Sequence, residues 1–391
     1  MTAAVAHRRE LASVLAAGGA VRSSWVRRAF EETPRENFVP RFYRRESGRT
    51  VLVDGTDPVQ HDEWLRGVYT DDALMVQMTP TPEMVDKAGA PTSSSSMPTV
   101  MAGMLEALDL QPGHRVLEIG TGTGYNAALL CHRVGAQNVV SVELDPGLAD
   151  AARQALAGVG LRPAVHAGDG AAGLAAAVPF DRIIATASAD HIPPAWIAQL
   201  APGGSILVDL RGSLKGSLLR LTKTGDDVVE GSFLNLLAAF MPMRTRLDSP
   251  HRDGETWDQV LDKCNPQHAT TPVDPGLMAD NRSFQFTAQL HLAGRRLCGF
   301  LRSFDGAEVS GYCTDGSWFT AGLNPDDDGL FPVRQGGPQR LWDTVESSHA
   351  TWRRLGEPGI ERFGVTAYDV AALQYVWFDH PDSPYRWPLP L

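Results

Sequence analysis

Three short stretches of this 391-residue chain carry residue types at spacings that could bind and position a charged ligand. The first runs Val116-Leu-Glu-Ile-Gly-Thr-Gly-Thr-Gly-Tyr-Asn126 and places glycines at 120, 122 and 124. Glycines between a strand and a helix let the backbone approach a ligand closely and expose the first N–H groups of the helix. The spacing is GxGxG. It departs from the GxGxxG of dinucleotide sites, because the sixth position counted from Gly120 is Tyr125, and no Gly-Lys-Ser/Thr follows to cradle a phosphate. Glu118 stands two residues before the first glycine, where it would repel a pyrophosphate but welcome a cationic ammonium and sulfonium. S-adenosylmethionine has both and carries no phosphate.

Two further polar points follow at the ends of the next strands. Glu143 lies 25 residues after Glu118, with Leu144 beside it, and a carboxylate there can accept both hydrogen bonds of a ribose diol. Gly168-Asp169-Gly170 lies one βα unit further on, where Asp169 can meet an adenine amino group while its glycines let the chain pass the ring. The expected cofactor site thus comprises Glu118, Gly120, Thr121, Gly122, Thr123, Gly124, Tyr125 and Asn126, then Glu143 and Leu144, then Gly168, Asp169 and Gly170. Taken singly, Glu143 could be a solvated strand end and Gly168–Gly170 a plain turn. Their joint placement at the carboxyl ends of adjacent strands favours the ligand.

The elements that must position these residues are legible as a rhythm. Short apolar runs at 115–119, 138–143, 163–166, 181–186 and 204–209 alternate with helical segments at 123–134, 146–158, 171–177 and 193–201. Such alternation predicts βαβ units and a mostly parallel sheet covered on both faces. Leu218–Thr222 and Val228-Val229 around Gly225-Asp-Asp227 read as a hairpin, an antiparallel edge, before a last apolar run at 233–240. Met97, Val100, Met101, Met104, Leu105 and Leu108 form one apolar helical face ahead of the first strand. The first 45 residues read as helices, and 46–96 as a long irregular stretch rich in Asp, Thr, Pro and Ser. Beyond Met243 the alternation stops. Strands are expected at 284–293, 297–303, 308–313 and 330–334, and a helix at 341–355. The expected division is 1–96, an N-terminal extension with a substrate-side loop; 97–245, the cofactor-binding core; and 246–391, a smaller α+β accessory domain for peptide recognition.

Composition narrows the function. Lys plus Arg is 35 against 46 Asp plus Glu, a formal charge of −11, so neither nucleic acid nor an anionic membrane surface is an expected partner. No apolar run reaches the roughly 18–20 residues that cross a bilayer. Residues 1–30 hold no secretory apolar core, so the cytoplasm is the expected location. Cys131, Cys264, Cys298 and Cys313 are far apart and form no CxxC pair, which predicts free thiols. No metal is expected: His61-Asp-Glu63 reads as a solvated loop, and Asn324–Gly329 lacks the later acidic residue of a calcium loop. Trp352, Tyr375, Trp377, Phe378 and Trp387 read as core and rim of the accessory domain, or else as a peptide groove.

With these residues in view, the chain resembles the protein-L-isoaspartate O-methyltransferase family. Val116–Leu130 is close to its first motif, Phe240-Met-Pro-Met243 to the close of its sheet, and Val26–Pro40 to its opening helices. The likeness covers about residues 10–245 and implies a class I S-adenosylmethionine-dependent methyltransferase fold, with S-adenosylhomocysteine as product. Repair enzymes of the family carry a Thr-Ile-Ser-type segment whose Ser lies by the substrate carboxylate. Here Ser96 takes that place, at the end of Ser93-Ser94-Ser95-Ser96, and these four are the candidate catalytic residues. Ser96 is equally placed to cap the helix that follows, and the two roles can coexist. The serine run and the extension after residue 245 resemble the branch that tailors graspetides, ω-ester-containing ribosomal peptides. The resemblance implies methylation of an aspartate in a precursor peptide already crosslinked by an ATP-grasp ligase, then closure to an aspartimide. Repair of isoaspartyl proteins, a small-molecule carboxyl methyltransferase, and a non-catalytic holder of cofactor or precursor are the alternatives.

Overall fold

In the computed structural model, which describes residues 2–46, 49–79, 90–245, 266–292, 297–303, 306–313, 315–370 and 373–390, the apolar runs of the middle of the chain become the centre of one long sheet. Strands are numbered here along the chain. Strands β5 (Val116–Ile119) and β6 (Val139–Glu143) are buried at every position, as strands covered on both faces must be. They run parallel with β7 (Ala164–Ala167), β8 (Phe180–Ala189) and β9 (Leu200–Arg211), while β10 (Gly216–Lys223) and β11 (Val228–Phe233) add the expected antiparallel hairpin. The order β7-β6-β5-β8-β9 reverses direction at β5, and such a switch point opens a crevice at the carboxyl ends of the strands. Helices Tyr125–Val134 and Pro146–Gly158 lie where expected. The helix expected at 171–177 is absent: Gly173, with φ of 59°, separates two short turns, Gly170–Ala172 and Ala175–Ala177.

Residues 46–96 are not irregular. Four antiparallel strands, β1 (Arg41–Glu46), β2 (Arg49–Asp54), β3 (Leu74–Thr79) and β4 (Ala90–Ser95), form a sheet in the order β2-β1-β3-β4. Residues 47, 48 and 80–89 of that stretch lie outside the described residues. Phe42 and Val53 pair across β1 and β2 and are buried, against Trp64, Leu65 and Val68 of the helix His61–Val68. His61, Asp62 and Glu63 form the first turn of that helix, with His61 bonded to the Gly55 carbonyl and Glu63 paired with Arg44. Strand β4 escapes pattern reading because Ala-Pro-Thr-Ser-Ser-Ser has no apolar alternation and little strand propensity. Pairing with β3 holds it in place.

Part of the chain beyond 245 joins the central sheet. Its strands β17 (Phe363–Tyr368), β18 (Gln374–Phe378) and β19 (Arg386–Pro388) extend the central sheet, β17 pairing with β11 from Val228↔Tyr368 to Ser232↔Gly364. Ten strands therefore run as β19-β18-β17-β11-β10-β9-β8-β5-β6-β7. Between them, β12 (Gln267–Thr271), β13 (Leu297–Arg302), β14 (Glu308–Cys313), β15 (Trp318–Gly322) and β16 (Phe331–Gly336) make a five-stranded antiparallel sheet with the helix Leu341–Arg354. The segment 284–293, expected as a strand, is the helix Arg282–His291, capped by Asn281. Its strict alternation of Phe284, Phe286, Ala288 and Leu290 with polar residues mimics a strand. The helix is buried all round, Phe284 and Ala288 packing in the core of the smaller sheet and Phe286 and Leu290 against the central one.

Cys131 and Cys313 are buried, and burial pushes the Cys131 thiol up to about 12. Cys264 lies outside the described residues. Among the described residues no helix is long and apolar enough to cross a membrane.

Candidate active site

At the switch point the ends of β5, β6 and β8 open onto a cavity of about 490 Å³, a size typical of small-molecule sites. One wall is the glycine loop. Gly120, Gly122 and Gly124 have φ of 90°, 54° and 85°, a region that side-chain-bearing residues rarely adopt. The close approaches need glycine as much as the angles do. A Cβ on Gly120 would stand 3.0 Å from Thr186 Oγ1, and one on Gly122 would stand 3.5 Å from the Ser94 carbonyl and 3.7 Å from Ser93 Oγ. The serine strand β4 therefore faces the glycine loop across a narrow gap, and Ser93, Ser94, Ser95 and Ser96 all line the cavity.

Of the expected cofactor residues, Gly120, Thr121, Gly122, Thr123, Tyr125, Asn126, Glu143, Leu144 and Gly170 line the cavity together. Glu143 is held from the main chain, accepting from Gly122 N at 2.8 Å and from Asp145 N at 3.1 Å. Glu118 does not form the acidic lip expected of it. It is wholly buried behind the loop, where its carboxyl accepts from Asn126 Nδ2 (2.7 Å) and Ser141 Oγ (2.5 Å). Leu117 and Ile119 occupy the opposite face of β5, so strand alternation turns Glu118 under the following helix. Asp169 and Gly168 also lie off the cavity wall; Asp169 Oδ1 accepts from Ala171 N and caps a turn. Gly124 supports the loop from behind, against Ala152.

Ser96 does not cap the helix Pro98–Ala107. That end is held by Asp71, which accepts from the backbone and hydroxyl of Thr99. Four features escaped the sequence reading. Ser141 is a polar residue inside an apolar central strand, and that contrast was a usable signal. Thr186 anchors the loop by donating to the Gly120 carbonyl at 2.7 Å. A chain of bonds runs beside the cavity, with Gln77 Nε2 on Asp145 Oδ2 (2.9 Å), Thr92 Oγ1 on Gln77 Oε1 (2.7 Å) and Arg244 Nη2 on the Thr92 carbonyl (3.4 Å). Arg35, the fourth, is treated below.

Burial, with a smaller push from Glu143, raises the Glu118 carboxyl from 4.5 to about 7, against the two hydrogen bonds that favour its charged form. Between those values the folded chain holds a proton that the unfolded chain has released. This group's stabilising contribution is therefore complete below 4.5 and is lost as pH rises through about 7. The swing is about 3 kcal/mol. Glu118→Gln should flatten that fall in ligand-free protein, as measured by denaturant unfolding across the same pH window. An unchanged slope would contradict a buried titrating Glu118.

The donor set suits S-adenosylmethionine. Asn126 Oδ1 is buried, has no partner among the described residues, and belongs to a side chain on the cavity wall, so it can accept from an ammonium. The Glu143 carboxylate suits a diol, and the bare glycine backbone leaves room for a flat ligand.

Comparison with known proteins agrees. The family model described as protein-L-isoaspartate(D-aspartate) O-methyltransferase matches residues 6–247. A protein-L-isoaspartate O-methyltransferase of Anaeromyxobacter sp. (strain Fw109-5) is 37% identical over 236 residues, covering 60% of this chain and 94% of that protein. One from Anaeromyxobacter dehalogenans (strain 2CP-1 / ATCC BAA-258) is 46% identical over 154 residues, 38% of this chain and 71% of that one. A solved structure described as a protein-L-isoaspartate O-methyltransferase aligns with 95% of this chain and 100% of its own, at a TM-score of 0.53 and 24% identity. That likeness of fold runs into the region after 245.

Proposed function

We propose, from the premise that this chain belongs to the protein-L-isoaspartate(D-aspartate) O-methyltransferase family, that its cavity methylates a peptide carboxylate of the isoaspartyl or aspartyl kind. The family makes it an S-adenosylmethionine-dependent carboxyl O-methyltransferase, which sets aside the non-catalytic alternative. The observation that carries the substrate class is the serine wall facing the glycine loop.

A carboxylate is already ionised at neutral pH, so it needs orientation and removal of water rather than a general base. When bound, S-adenosylmethionine supplies an electrophilic methyl group. The glycine loop and Asn126 would hold its amino-acid end, and Glu143 its ribose. The serine hydroxyls donate to the acceptor carboxylate and fix which oxygen faces the loop, leaving that oxygen's nucleophilicity intact. Ser95 Oγ accepts from Arg35, which anchors that hydroxyl while leaving its proton free to donate. In the methyl ester that results, the nitrogen of the next residue can attack the carbonyl, expel methanol and close a five-membered imide.

Isoaspartyl peptides are the first reading, in keeping with the relatives' names. The second is an aspartate of a graspetide-type precursor crosslinked by an ATP-grasp ligase. It is favoured by Thr92–Ser96, which departs from the Thr-Ile-Ser type of repair enzymes and places four consecutive serines along the cavity. Mass spectrometry after incubation with cofactor separates them. Methylation of a short isoaspartyl peptide supports repair. Methylation of the crosslinked precursor followed by loss of methanol supports tailoring. No ester on either substrate would defeat the proposal.

A further inference from the structure

Arg35 is wholly buried, yet among the described residues none of its hydrogen-bond partners is a carboxylate. Nη1 donates to the carbonyls of Val68 (2.9 Å) and Thr70 (3.0 Å), and Nη2 to those of Asp72 and Ser96 (both 3.1 Å). Longer contacts of 3.4 Å reach the carbonyl and hydroxyl of Ser95. The guanidinium also stands 5.7 Å from the ring centroid of Tyr125, which opens the helix after the glycine loop and lines the cavity. One side chain thus joins the end of the serine strand, the 68–72 segment and the cofactor loop.

Taking a cation out of water without an anion is costly, and packing alone would be better served by an apolar residue. The five-donor fork of arginine does something an apolar residue cannot, which is to hold several carbonyls in one plane. We infer that Arg35 is the positioning residue for the methyl acceptor. It fixes the carbonyls of Ser95 and Ser96, so setting where the serine hydroxyls stand against the glycine loop, and its charge, which the carboxylates of Asp71 and Asp72 feel but do not hydrogen-bond, favours an anionic acceptor. The inference rests on the carboxylate reading above for the acceptor's charge, but the positioning itself can be read without substrate.

The test compares Arg35→Lys and Ser95→Ala with the parent chain. Lysine keeps the charge but loses the fork. Hydrogen–deuterium exchange without substrate should speed up at the amides of residues 93–96 in Arg35→Lys while those of 120–124 stay unchanged. Affinity for S-adenosylhomocysteine should stay within about twofold. With a methylated peptide in hand, KM should rise at least tenfold and kcat change less. Should Arg35→Lys fail to fold, Ser95→Ala decides: faster exchange at 93–96 and a several-fold rise in KM are expected. Unchanged exchange in a folded variant, or loss of cofactor affinity in step with KM, would overturn the inference. A parent chain that esterifies no peptide would instead defeat the proposed function, leaving the exchange result to judge Arg35.

Discussion

A chain ended at residue 245 should fail to give a soluble, cooperatively folded methyltransferase. The cut removes β17, whose five paired residues complete β11, and leaves that strand as an exposed edge. It also removes Phe286, Phe363, Val365 and Val376, all of them buried in one cluster with Leu221, Val229 and Phe233. Each such side chain is worth about 1.5–3 kcal/mol of burial, so losing four of them rivals the whole 5–15 kcal/mol by which a typical domain is stable. The loop after β8 loses support as well, since the Gln374 side chain both accepts from Ile192 N and donates to its carbonyl. Circular dichroism through a thermal ramp, with the soluble fraction after expression, measures the effect. A truncated chain that melts cooperatively and binds S-adenosylhomocysteine as the parent does would refute the integral role of this segment.

Glu143→Ala should weaken S-adenosylhomocysteine binding by a hundredfold or more while the fold stays intact. The alanine leaves the N–H groups of Gly122 and Asp145 without their acceptor and removes the group placed for the ribose diol. Hydrogen bonds to a charged partner are worth about 1.5–3 kcal/mol each, and each 1.4 kcal/mol is about tenfold in affinity. Glu143→Gln keeps one acceptor oxygen and should fall between. Titration calorimetry reads both. Affinity within about threefold of the parent for Glu143→Ala would remove this residue from the cofactor site.

How far the sequence could be read depended on how local the determining interactions are. Strands β5, β6, β8 and β9 announce themselves because burial on both faces makes them largely apolar runs, and the three glycines mark a turn that few other residues could make. Glu118 was recognisable as part of that motif. The direction of its side chain was not, because that depends on Ser141, 23 positions away on the neighbouring strand. The serine run was visible as a polar patch, whereas its strand conformation comes from β3 and from Arg35, which is 60 residues away. The joint between β11 and β17 was hidden for the same reason: nothing in Val228–Phe233 specifies a partner near residue 365. Helix Arg282–His291 was misread because local pattern and tertiary context disagree there.

The ends of the long sheet have a consequence for behaviour at high concentration. Ten strands make a wide surface, but its two margins are stubs: β7 has four residues, and β19 has three, the last being Pro388. A second copy trying to extend the ladder would find only a few free backbone groups on either side, and at one position no N–H at all. The breadth of the sheet is thus shielded from fibre-like growth by how little backbone it offers at its borders.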